Sequence, residues 1–138
     1  MTTFLIPPDI REAKKTYEFV YDFTVQGGAI STITMRAVRG AIPANFIVQN
    51  AFLDVITGFT GTAVIAVDLQ TAGDLVVAAV AICAPYSTAG RKVTIILLGT
   101  IATWIKTTAV RTPTLTVTVG AITAGKMRLF VEGFQSEA

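Results

Sequence analysis

The sequence predicts an all-β fold: a β-sandwich or jelly-roll-like barrel of about eight or nine strands behind an extended N-terminal arm. Three observations carry this expectation. Apolar and polar residues alternate with a period of two in segment after segment, which puts one set of side chains on one face of a strand. Breaks rich in Gly, Pro and Thr separate these segments at short intervals. No sustained 3.6-residue periodicity competes with the alternation. The 138 residues suit a single domain, with an arm over 1–15 and the β-sandwich domain over 16–138.

The arm has an apolar tip, Phe4, Leu5 and Ile6, followed by Pro7 and Pro8, which fix extended backbone. Asp9 to Lys15 is polar and long enough for only one or two helical turns, too few to stand alone. A disordered tail is the plain alternative at a terminus. Three large apolar side chains in a free tail would gain by docking, which favours a docked arm.

From Thr16 the pattern changes. Tyr17, Phe19, Tyr21, Phe23 and Val25 alternate with Glu18, Val20, Asp22 and Thr24, predicting a strand with its aromatics on one face. Gln26-Gly27-Gly28 marks a turn or bulge, and Ala29 to Ala37 reads as a second strand rich in β-branched residues. After a connection through Pro43, Phe46 to Thr57 predicts a long strand ended by Gly58. Thr62 to Gln70 is apolar on both faces and reads as a buried strand. Thr71 to Asp74 breaks the chain. Leu75 to Ile82 is open between strand and helix, because periodicity cannot settle a short apolar run. Ala84 to Gly90 is a loop, Val93 to Leu98 a strand, and Thr103 to Val110 another. Leu115, Val117 and Val119 alternate cleanly with Thr114, Thr116 and Thr118. Ala121 to Lys126 is a predicted turn, and Met127 to Phe134 the closing strand.

Composition narrows the function. Hydrophobic residues make up 52% and charged residues 14%, against about 25% charged in an average soluble protein. Such a chain either enters a membrane or hides surface against a partner. The longest apolar runs fall well short of the about 20 residues that a spanning helix needs, and Pro85 and Gly99 end them. The scattered aromatics do not form the girdles of an outer-membrane barrel. A net charge of +2 with no basic run argues against nucleic acid. The single cysteine, Cys83, cannot form an intramolecular disulfide, and its apolar neighbours suit a small core residue. The N-terminus lacks the features of a secretory signal, so synthesis and assembly in a reducing cytoplasm are expected.

Catalytic chemistry finds little to stand on. The chain has no histidine, the commonest general base and metal ligand. One cysteine cannot supply a zinc site or a Cys–His pair, so no metal, cofactor, catalytic residue or small-molecule substrate is expected. Asp54 and Asp68 lie on consecutive predicted strands and are the carboxylates a hydrolase would use. Carboxylates on strands more often sit on a solvated face beside Arg or Lys. Thr71 to Asp74 is too sparse for a calcium loop. The Gly-and-cation stretches Ser87 to Lys92 and Thr123 to Lys126 lack the frame of a phosphate cradle. Trp104 and Tyr86 invite a carbohydrate-stacking role, although a lone Trp in an apolar strand is more often a core or interface anchor.

Asp22-Phe23-Thr24-Val25-Gln26-Gly27-Gly28-Ala29-Ile30-Ser31-Thr32-Ile33, Ile42 to Val48 leading into Leu53 to Thr57, and Leu115 to Val131 form turn-and-strand signatures spread over most of residues 16–135. In these segments the chain resembles small β-rich structural proteins of tailed bacteriophages, which act as head decoration, cement or fibre proteins. The resemblance implies a virion protein on the capsid exterior that binds the major capsid protein and itself, as a homotrimer, and is made in the host cytoplasm. It brings no catalytic residue. Phe4, Leu5, Ile6, Pro7, Pro8 and Trp104 are the expected capsid or subunit interface. The alternative is a head-fibre or tail-associated module that binds a host-surface glycan.

Overall fold

The computed structural model describes residues 14–82, 85–93 and 105–136. Strand β1 (Lys15–Asp22) turns Phe19 and Tyr21 inward, as their alternation requires. It stops earlier than the aromatic pattern predicts. The Asp22 carboxylate accepts the Thr24 N–H (3.0 Å) and hydroxyl (2.7 Å), capping a single helical turn, α1 (Phe23–Gln26). Gly27, at φ +74°, ends that turn by donating its N–H to Phe23 O (2.9 Å).

The predicted second strand is two strands in different sheets, β2 (Ser31–Thr34) and β3 (Arg36–Ala37). Met35 is buried at the crossing and its N–H donates to Pro113 O (3.0 Å). β4 (Phe46–Gly61) runs straight through Gly58. That glycine serves a close approach instead of a stop: a Cβ there would lie 2.4 Å from the Ser87 carbonyl oxygen.

β5 (Val64–Asp68) is a strand as predicted, but only its Ile65 and Val67 face is buried, the other being the outer face of its sheet; the ambiguous apolar run is a strand, β6 (Val76–Val80). β7 (Gly90–Val93), β8 (Ile105–Lys106), β9 (Thr114–Thr118) and β10 (Ile122–Gln135) complete the domain. The predicted turn at 121–126 is mostly absorbed into β10, where the ladder slips at bulges instead of breaking. The described residues thus hold ten strands, not the eight or nine expected.

Two antiparallel sheets pack together as a sandwich. One has the order β3-β1-β10-β4-β7, with β8 also on β4; the other is β2-β9-β5-β6. Setting aside the two-residue strands β3 and β8, the remaining eight pair first with last: β1 with β10, β2 with β9, β4 with β7, β5 with β6. That nesting is a long hairpin rolled on itself, the jelly roll. The inward residues of both sheets form one core, including Leu53, Val55, Ile65, Val67, Leu115, Val117, Leu129 and Val131. At one end Phe59 lies between Tyr21 and Tyr86, with ring centroids 5.6 Å from each. At another, Tyr17 meets Phe46 edge-on at 5.3 Å.

Candidate functional site

With the inward positions of the described strands filled by core, the surfaces these strands offer are their two outer faces and their edges. The first sheet's outer face is charged. Glu18 on β1 takes Arg128 of β10 at 2.6 Å, and Asp22 takes Lys126 at 3.9 Å. Asp54 on β4 stands in register between Arg128 of β10 and Arg91 of β7. Across the middle of this face Phe52 and Phe130 stand opposite each other, stacked at 5.3 Å with planes 24° apart. These ion pairs are partly solvated, so each adds little to stability.

The second sheet's outer face has the opposite character. Thr32 and Thr34 of β2 stand opposite Thr116 and Thr114 of β9. Val64 and Ala66 continue the surface on β5, and Val80 on β6. Asp68 is the one charged residue among the outward positions of these four strands. It is occupied, accepting the Gly73 N–H (2.5 Å) and the Thr116 hydroxyl. The sequence held a sign of this face that strand alternation alone does not weigh: the polar half of β9 is threonine throughout.

The structure separates the two carboxylates that a hydrolase would have used. Asp54 belongs to β4 in one sheet and Asp68 to β5 in the other. Each is flanked by buried residues, Leu53 and Val55 or Val67 and Leu69, so the two point to opposite sides of the sandwich with the core between them. β4 and β5, though consecutive in sequence, lie in different layers, so the two carboxylates do not meet.

Asp74 is likewise spent on structure. Its carboxylate accepts the N–H groups of Leu69 (2.7 Å), Gln70 (2.9 Å) and Thr71 (2.9 Å), closing the turn before β6. Among the described residues no three potential ligands gather around a common point.

Tyr86 is not an exposed loop aromatic. It is fully buried, with its hydroxyl donating to Ile65 O (3.2 Å), and burial pushes its phenol well above the ordinary tyrosine range, with Asp68 adding to the effect. Thr123 to Lys126 lies within β10 and cradles nothing: Gly125 packs on the Phe59 ring, and Lys126 pairs with Asp22. Phe4, Leu5, Ile6, Pro7, Pro8, Cys83 and Trp104 lie outside the described residues.

No protein-family model matches the chain, and no curated protein matches it. Solved structures do. A chain of the cyanophage Pam1 capsid asymmetric unit matches with a TM-score of 0.64 and 16% identity, over 99% of this chain and 94% of that one. A chain of the capsid of Ralstonia phage GP4 matches with a TM-score of 0.62 and 15% identity, over 99% and 93%. At such identities the likeness is one of fold, and it spans nearly the whole of all three chains.

Proposed function

We propose that the protein is a structural component of a bacteriophage virion, a cement or decoration subunit on the capsid exterior. In this reading it is made in the host cytoplasm, binds the major capsid protein at subunit junctions as a homotrimer, and stabilises the head without enzymatic chemistry. The observation that carries the reading is the end-to-end likeness of its jelly roll to chains from two phage capsids. A domain whose described inward residues form a core, and whose Asp54 and Asp68 face opposite ways, suits a part that works by contact. Repetition over a capsid multiplies weak contacts, so each can be small.

Phe4, Leu5, Ile6, Pro7 and Pro8 supply the contact in this proposal, as an arm laid on a neighbouring subunit, with Trp104 as a second anchor. Removing residues 1–13 leaves all of β1 in place. The shortened protein is expected to keep its far-ultraviolet circular dichroism and melting temperature but to wash off purified heads during sedimentation. Equal retention of both forms on the heads removes the arm from the proposal. The competing glycan-binding reading loses Tyr86 to the core.

A further inference from the structure

The outer edge of β6 has no strand beside it among the described residues. Its inner edge pairs with β5, and there Val80 stands opposite Val64 while the Ala81 N–H donates to Ala63 O (2.9 Å). In an antiparallel ladder this places the peptide N–H and C=O of Val80 on the side away from β5. The edge therefore offers unspent hydrogen-bonding groups. It also offers apolar surface: Val77 is 54% exposed, Val80 40% and Ile82 61%.

Proteins block open edges with charge, proline or a covering group, and the other edges of this sandwich show such devices. The carbonyl of Thr34, at the end of β2, is taken by the Gln26 side-chain amide (2.7 Å). β3 carries Arg36, and β7 carries Arg91. From Leu75 to Ile82 there is no charge and no proline. A strand that pairs with its own copy about a twofold axis brings two copies of each of its charges into one seam, so a neutral strand can pair with itself without like-charge repulsion. Two of the edge strands, β2 and β6, are neutral, and of these only β6 also carries exposed large apolar side chains.

We propose that β6 pairs antiparallel with β6 of a second copy, joining two four-stranded sheets into one of eight strands. The pairing is isologous, so it holds two single chains together, or two trimers where the subunits are trimeric. It stands apart from the virion reading and does not need a capsid.

The test is a pair of charge variants at the exposed positions, Val77→Lys with Val80→Lys, and Val77→Glu with Val80→Glu. Positions 77 and 80 straddle the strand's middle, so a twofold pair brings one against the other. Light scattering across a concentration series should give wild-type protein an even number of 14.6 kDa chains at high concentration. Each double variant should fall to half that mass, and their equimolar mixture should regain it. Regain in the mixture requires that both variants are folded. A wild type with an odd number of chains at every concentration, variants that keep the full mass, or a mixture that stays at half mass each overturns the proposal. Retention on heads is a separate readout and decides only the cement reading.

Discussion

Gly125 shows how much of the core depends on single residues. Its φ of +148° is strained for any side chain, and a Cβ there would sit 2.6 Å from the Phe59 ring. Gly125→Ala is expected to cost about 2–4 kcal/mol, read as a lower denaturation midpoint at unchanged m-value. The tyrosines beside Phe59 make a second prediction. Burial, with the Asp22 charge adding to it, pushes Tyr21 from 10.0 up to about 12, and Tyr86 moves the same way. The folded state resists losing these protons, so their contribution is complete below pH 10 and is lost as pH rises through about 12. Denaturation midpoints on either side of pH 10 should fall on the alkaline side, and Tyr21→Phe should flatten that fall. The inward places of Phe19 and Tyr21 were legible from alternation. The burial of Tyr86 was not, because it follows a glycine-poor loop whose path is set by the Phe59 N–H donating to Tyr86 O (3.0 Å) across the fold.

The strand with clean alternation, β9, was legible as an element, since a period of two with one apolar face has few other solutions. The misreadings each have a local cause. Asp22 caps a helical turn inside an alternating segment, Met35 carries the chain between sheets in mid-segment, and Gly58 mimics a stop while allowing contact with Ser87. The paired strands β4 and β10 also hold the stacked Phe52 and Phe130 on an outer face, where the sequence shows only two separate aromatics. A double-mutant cycle with Phe52→Ala and Phe130→Ala should return a coupling of about 0.5–1.5 kcal/mol. Additive losses would mean that the rings merely cover the sheet.

For the molecule as a whole, the fold class was readable and the layer of each strand was not. Composition and turn spacing name a sandwich, but sheet membership depends on which distant strands meet. β1 lies against β10, more than a hundred residues on, and no local pattern encodes that choice. The same gap concealed the opposite placement of Asp54 and Asp68 and the difference between the charged and neutral faces. The first-with-last pairing also sets how the domain bears mechanical load. Lys15 is aligned with Gly133 and Asp22 with Lys126, so the whole of β1 is laced to β10. Tension applied to the N-terminal segment along the strand axis pulls on all the rungs of that ladder together, in shear. Tension across the axis would peel them one after another. A tether leaving from β1 is therefore strong in one direction and weak in the other.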